Sequence, residues 1–258
     1  MSFIKRELNL FLLALGFFSR IPMPAWLVYS PEALNSSSRY FTLVGWLLGV
    51  LVAGCFMLVN AFFPLNISLW LAMLFSLLLT GAFHEDGLAD TADGFGGGFS
   101  VEKKLSIMKD SRLGTYGAAA LLMTLAGKYL LLLEAANIPL AIVIAYALSR
   151  TLASSLIFDM DYVADIEISK SKPLANRQSP QDLFILLASS LPVFLLLHWK
   201  IALTLCAVLL LVRYVARYYF IRQIKGYTGD CLGAAQQIAE LSIYAVLILF
   251  SIHVGILQ

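Results

Sequence analysis

Long apolar stretches alternate with short polar ones along the whole chain. Residues 41–63, 67–83, 116–133, 140–158, 183–197, 201–220 and 238–256 are runs of Leu, Ile, Val, Phe, Ala and Gly with few charges. A helix needs about twenty such residues to cross a hydrocarbon core, so about seven spans are predicted. Turns fall at Pro64-Leu65-Asn66, Asn137-Ile138-Pro139 and His198-Trp199-Lys200, and a polar loop at 31–38. The apolar stretch 8–18 is too short to span. Lys5 and Arg6 precede it and Arg20 follows, so both of its ends face one side, and Pro22 and Pro24 stop it. It reads as a re-entrant or interfacial helix. The fold class expected is all-α: a polytopic integral membrane helical bundle of one domain, residues 1–258. Its active-site loops are expected at 84–116, 159–182 and 222–235. In the first span, Gly45, Gly49 and Gly54 offer a thin face for close helix packing.

Composition agrees with a lipid environment. Of the 258 residues, 60% are hydrophobic and 13% charged, whereas soluble domains carry roughly a quarter as charged types. A net charge of +2 is too small to suggest nucleic acid as a partner. Cys55, Cys206 and Cys231 lie far apart, which indicates neither a disulfide framework nor a thiolate metal site. Ser19-Arg20-Ile21-Pro22 follows the first apolar stretch in place of a small-residue cleavage site, so no cleavable signal is expected. Basic residues set the orientation. Lys5, Arg6, Arg20, Arg39, Lys103, Lys104, Lys109, Arg112, Lys170, Lys172, Arg177, Arg222 and Lys225 share the side of the amino terminus and the three polar loops, against Lys200 opposite. The rich side is expected to be cytoplasmic.

The densest chemistry is His84-Glu85-Asp86-Gly87-Leu88-Ala89-Asp90-Thr91-Ala92-Asp93-Gly94, directly after an uncharged run. On a helix, Asp86, Asp90 and Asp93 fall at i, i+4 and i+7 and share a face. Three unpaired carboxylates repel one another, and a hard divalent cation compensates them best. The competing reading is a solvated acidic loop, but Gly87, Gly94, Gly96, Gly97 and Gly98 let backbone approach a ligand closely. A second stretch, Lys109-Asp110-Ser111-Arg112-Leu113-Gly114-Thr115-Tyr116-Gly117, suits phosphate oxygens through Lys109, Arg112 and free amides at a helix start. A basic anchor at lipid headgroups explains it equally. A third, Gly226-Tyr227-Thr228-Gly229-Asp230-Cys231-Leu232-Gly233-Ala234, holds Asp230 at the mouth of a span; the ordinary alternative is Asp230 capping the next helix. Arg150, Lys128, Arg213 and Arg217 are charges within spans and so functional candidates, although snorkelling explains Arg217 as well. His198 and His253 read as interfacial.

No Ser-His-Asp arrangement, nucleotide-binding loop or dinucleotide fingerprint is present. Carboxylates for a metal with Arg and Lys nearby suit phosphoryl transfer, which needs cations on the oxygens rather than a side-chain nucleophile. His84-x-Asp86-Gly87-Leu88-Ala89-Asp90-x-x-Asp93-Gly94, Asp110-Ser111-Arg112-x-Gly114-x-x-Gly117 and Thr228-Gly229-Asp230-x-Leu232-Gly233-Ala234 together resemble the cobalamin synthase family, the adenosylcobinamide-GDP ribazoletransferases. Ser19-Arg20-Ile21-Pro22-Met23-Pro24 is similar to that family's opening, and the resemblance covers nearly the whole chain.

The resemblance implies that adenosylcobinamide-GDP and α-ribazole, or its 5′-phosphate, are joined with release of GMP. It also implies Mg2+ and the bacterial inner membrane, with other enzymes of cobalamin synthesis as neighbours. It makes Asp86, Asp90 and Asp93 metal ligands and His84 a base or an outer donor. Asp110 and Asp230 complete the shell or activate the acceptor hydroxyl. Lys109, Ser111, Arg112, Gly114, Gly117, Thr228 and Gly229 bind substrate, and Arg150 steadies developing charge. Lys109 stands where that family often has arginine, which loses a two-pronged grip; Glu85 is not counted as a ligand. Two other classes compete. A CDP-alcohol phosphotransferase has Ala-Arg after its first Asp-Gly, where this chain has Leu88-Ala89-Asp90. An ion-coupled transporter has midplane sites and internal repeats, and no repeat is visible here.

Overall fold

The computed structural model describes residues 2–163 and 177–256, with side chains through residue 251. Lys170, Lys172, the side chain of His253 and most of the expected loop 159–182 lie outside the described residues. The elements are α1 (Phe3–Phe18), α2 (Pro31–Ser37), α3 (Phe41–Asn60), α4 (Leu65–Thr80), α5 (Phe83–Gly97), α6 (Val101–Met108), α7 (Thr115–Leu133), α8 (Ile138–Ser155), α9 (Pro180–Ala188), α10 (Leu191–Leu195), α11 (Trp199–Ile224) and α12 (Gly229–Ile256). The chain is all-α among the described residues, apart from an isolated parallel bridge between Tyr162 and Tyr227. The expected loop at 31–38 is instead helical: Pro31 opens α2, and the Ser30 hydroxyl accepts from the Ala33 amide at 3.0 Å.

Among the described residues five helices are long and apolar enough to cross a membrane, and a bent pair, α4 with α5, makes up to six. The protein is therefore a multi-pass membrane protein, and two of the seven expected spans take a different form. The second expected span stops at Thr80, and the acidic motif that follows forms its own helix at 83° to α4. The fifth, 183–197, is broken into α9 and α10. Ser189 and Ser190 turn their hydroxyls back onto Leu186 O and Leu187 O at 2.8 and 2.7 Å, and Pro192 has no N–H to continue the ladder. Neither piece alone reaches the ~30 Å of a bilayer core. Together they still carry the chain from one end of the bundle to the other. Near the close of α11, Arg217 pairs with Asp159 just beyond α8 at 3.0 Å, and Lys104 reaches Gln223 Oε1 at 2.6 Å. So α11 must start at the opposite end.

Helices in lipid gain little from burying apolar surface against one another, so small residues and polar bonds fasten them. α8 is the central helix, and α3 lies tightly against it. A Cβ at Gly45 would lie 2.9 Å from Ala147 Cα, and one at Gly49 3.0 Å from Val143 Cα, while Gly54 meets nothing within 4 Å. Two of the three expected glycines therefore form the thin face. Thr42 and Thr151 share a hydrogen bond of 2.8 Å across the same seam. At the end that carries the polar motifs, Arg39 bonds Asp182 at 2.5 Å and Glu7 at 3.3 Å, tying α1 and α9 to the start of α3. α1 joins this end through Glu7 and, at its other terminus, through Phe18 packed on Phe41 and Phe83.

Candidate functional site

The site begins with the turn between α4 and α5. Gly81 and Ala82 both adopt left-handed backbone, with φ of 65° and 54°. Glycine takes this conformation without strain, whereas alanine costs roughly 1–2 kcal/mol. The turn is held from outside by Arg20, whose amide donates to Leu79 O at 2.8 Å and whose guanidinium lies against Gly81. The early Ser19–Pro24 motif thus braces the bend that redirects the acidic helix.

From that bend α5 crosses between α7 and α12. At Gly87 and Gly233 the backbones of α5 and α12 nearly touch: a Cβ at Gly87 would meet Asp230 O at 2.9 Å and Gly233 Cα at 3.3 Å. The crossing brings the first and third motifs together. Asp230, Asp86 and Asp93 each lie close enough to Asp90 to act on its charge, Asp230 most strongly, and Asp86 acts on Asp230. Burial along the row is graded: Asp86 is exposed, Asp90 half-buried and Asp93 buried. The face expected from i, i+4, i+7 spacing exists, on a packed helix rather than a loop. The Gly94-to-Gly98 run is packed too, with Gly94 against Met108, Gly96 against Tyr116 and Gly98 against Lys104.

Asp93 has a defined task. Its Oδ2 accepts from the Gly114 amide at 2.7 Å and its Oδ1 from the Gly117 amide at 2.8 Å. The carboxylate therefore takes up amides at the free end of α7, where a negative charge is favoured. A Cβ at Gly114 or Gly117 would fall on this carboxylate, which explains both glycines by space. The amides that the sequence offers to phosphate are thus held by Asp93, and its oxygens are shared with the backbone.

Asp230 is not the cap of α12. The Thr228 hydroxyl accepts from the Cys231 amide at 3.3 Å, and it lies 3.3 Å from Asp230 Oδ2. Capping by Thr228 leaves the Asp230 carboxylate turned toward α5, and Gly229 is exposed with open space around its Cα. Tyr162, which the sequence did not single out, joins here. Backbone bonds of 2.9 and 3.0 Å zip residues 161–163 to Tyr227, and the Tyr162 and Tyr227 rings meet edge to face at 5.5 Å. Burial, then the Asp230 charge, pushes the Tyr162 hydroxyl above the usual phenol range.

Other candidates lie elsewhere. His84 is enclosed, stacked on Phe18 at 5.2 Å and edge-on to Phe83. Asp110 and Arg112 bind each other at 2.5 Å in an exposed turn, and Arg112 holds the Asp110 carboxyl down at about 2. Lys109 precedes that pair and Ser111 lies between its members, both exposed. Arg150 is buried over the Tyr146 ring at 4.8 Å and donates to Tyr146 O at 3.1 Å, inside the bundle rather than beside the aspartate row. Arg213 and Arg217 grip Asp159 at 2.6 and 3.0 Å, which accounts for both without substrate. His198 starts α11, its Nδ1 accepting from the Lys200 amide at 3.4 Å.

Among the described residues no three His, Cys, Asp or Glu side chains are grouped closely enough to hold a metal ion by themselves. Magnesium seldom asks for that; it is commonly held by one or two carboxylates, with waters and substrate phosphates filling the octahedron. Asp86 and Asp90, hard oxygen donors at the open end of the row and faced by Asp230, fit such a partial shell.

A family model described as cobalamin-5-phosphate synthase matches residues 10–248. A protein of Vibrio cholerae serotype O1 named adenosylcobinamide-GDP ribazoletransferase is 50% identical over 255 residues, covering 98% of each chain. Its namesake in Shewanella frigidimarina is 53% identical over 248 residues, covering 94% of this chain and 95% of that one. The namesake in Vibrio parahaemolyticus is 51% identical, covering 96% of this chain and 94% of that one. No solved structure matches. With near-complete overlap at half identity, and with the three motifs meeting at one end of the bundle, the chain belongs to the cobalamin-5-phosphate synthase family.

Proposed function

We propose that this protein is an adenosylcobinamide-GDP ribazoletransferase. It joins adenosylcobinamide-GDP to α-ribazole, or to α-ribazole 5′-phosphate, and releases GMP. The substrates follow from the names of its relatives, and the reaction class from the site. The observation that carries the chemistry is the close crossing of α5 and α12 at Gly87 and Gly233, which sets Asp86 and Asp90 against Asp230.

Mg2+ bound at Asp86 and Asp90 would neutralise the diphosphate and the charge that develops on the leaving GMP. The chain supplies the rest. Asp230 takes the proton of the acceptor's ribose hydroxyl as its oxygen bonds to the cobinamide-side phosphorus and the P–O bond to GMP breaks. The carboxylates fill this role because His84 is shut in among rings. Asp93 holds the start of α7 and with it the exposed turn of Lys109, Ser111 and Arg112, whose cations meet the phosphates. Arg112 changes partner from Asp110 to substrate when it does so. Arg150 supports the bundle beneath the site. Basic residues crowd the end of the bundle that carries the site, and Lys200 marks the other, so the site faces the cytoplasm of a bacterial inner membrane.

The test is purified protein in detergent with adenosylcobinamide-GDP, α-ribazole 5′-phosphate and magnesium, products followed by mass spectrometry. GMP and adenosylcobalamin 5′-phosphate should appear in equal amounts, stop on adding EDTA, and return with excess magnesium. No GMP from folded protein would refute the assignment.

A further inference from the structure

Each of the three helices that build the site carries one charged residue of a second, enclosed cluster. Lys128 of α7 places its Nζ 3.2 Å from Glu85 Oε1 on α5 and 3.2 Å from Glu240 Oε2 on α12, and none of the three side chains is more than 9% exposed. Glu85 Oε1 also accepts from Gln237 at 3.1 Å, and the Glu240 carboxylate accepts from Gln236 at 2.9 Å and the Tyr244 hydroxyl at 3.0 Å. A cavity of about 20 Å³ adjoins the triplet, lined in part by Glu85, Lys128, Glu240, Tyr146 and Tyr244. That is room for about one water molecule.

Stability is a poor reason for such a cluster. Withdrawing three charges from water costs as much as their attraction returns, and apolar side chains of the same volume generally hold a core equally well. What an ion triplet adds is register. Apolar helix faces in lipid can slide past one another, but one ammonium bonded to two carboxylates on two other helices allows a single alignment. Glu85 directly precedes Asp86, Lys128 follows Gly117 along α7, and Glu240 follows Asp230 along α12. The partners are drawn from the same three helices as the site.

We propose that Glu85, Lys128 and Glu240 are positioning residues of the active site: they fix α5 against α7 and α12 and so set how far Asp86 and Asp90 stand from Asp230. This rests on reading those aspartates as the reactive groups. The test is the charge-free variant Glu85→Gln/Lys128→Met/Glu240→Gln, beside Lys128→Arg. The triple variant should melt in detergent near the wild-type temperature and keep both KM values within about twofold. Its kcat should fall at least about tenfold, because misplacing reacting groups by an ångström costs about that or more. Lys128→Arg, which can still bridge two carboxylates, should keep most of kcat. Wild-type kcat in the triple variant would overturn the proposal. Hydrogen exchange on the wild-type protein gives an answer independent of both turnover and variant folding. Amides of α5 should be protected as well as those of α8; exchange as fast as in α6 would equally overturn it. Absence of GMP release from the wild type would instead defeat the functional reading and leave the exchange result to decide the register.

Discussion

Replacing Gly117 by alanine puts a methyl group where the structure has a carboxylate. The new Cβ would fall on Asp93 Oδ2 and lie 2.9 Å from both the Ala89 carbonyl oxygen and Leu113 Cδ1. The Asp93 side chain can turn away only by giving up its 2.8 Å bond from the Gly117 amide, and the Ala89 carbonyl belongs to α5 itself. Overpacking of this kind costs about 1–3 kcal/mol, and a lost hydrogen bond to a charged acceptor about 1.5–3 kcal/mol. Alanine's better helix propensity returns about 1 kcal/mol, leaving a net loss of roughly 1.5–5 kcal/mol. If all of it reaches the chemical step, the rate falls between roughly tenfold and five-thousandfold. Gly127→Ala on the same helix is the control, since its Cβ meets only Leu241 Cδ2 at an ordinary 3.5 Å; it should be neutral or slightly stabilising. The assay is the initial rate of GMP release with melting in detergent alongside. Gly117→Ala behaving like Gly127→Ala in both would refute the account of Asp93 as the clamp on α7.

Gly81→Ala should lose roughly 1–2 kcal/mol through its left-handed backbone alone, and more through collision with Arg20; pairing it with Arg20→Ala should cost less than the sum of the two, and simple additivity in melting would contradict the brace. Thr228→Ala removes the cap of α12 and should destabilise by about 1 kcal/mol, with Thr228→Ser restoring it; equal melting of all three would show that Thr228 is no cap. Arg112 holds the Asp110 carboxyl down at about 2, below its unfolded value of about 3.9. The pair's contribution is therefore complete above about pH 4 and is lost only as pH falls through about 2. Asp110→Asn should accordingly leave the acid limb of the pH–activity profile where it is, and a shift of more than about half a pH unit would show that Asp110 titrates in the reaction.

Periodicity made the acidic face legible: Asp86, Asp90 and Asp93 share one side of a helix whatever surrounds it. The surroundings were not legible. Gly81 is a helix-stop residue type set within an apolar run, but alanine normally avoids left-handed backbone, so Ala82 gives no sign that the chain turns there and that the second span ends at Thr80. The breaks around Ser189, Ser190 and Pro192 are visible as residue types, but the leucines and phenylalanines on either side make them look like part of one continuous apolar run. Glycine in the second motif suggested phosphate, whereas the structure uses Gly114 and Gly117 to admit Asp93, a partner 21 and 24 residues earlier. Glu240 was missed altogether. A carboxylate with Gln236 and Gln237 just before it, inside an otherwise apolar span, is the signal that marks it, and Lys128 as an intramembrane cation needed such a partner.

In the proposed reaction the row on α5 and Asp230 on α12 act together on one diphosphate. Side-by-side turnover of Asp90→Asn and Asp230→Asn, each verified as folded by melting and by comparison with Asp110→Asn, tests it most directly. Both should release GMP at least about a hundredfold more slowly than wild type. Near-wild-type GMP release by either one would mean that the helix crossing is architecture and that the chemistry takes place somewhere else.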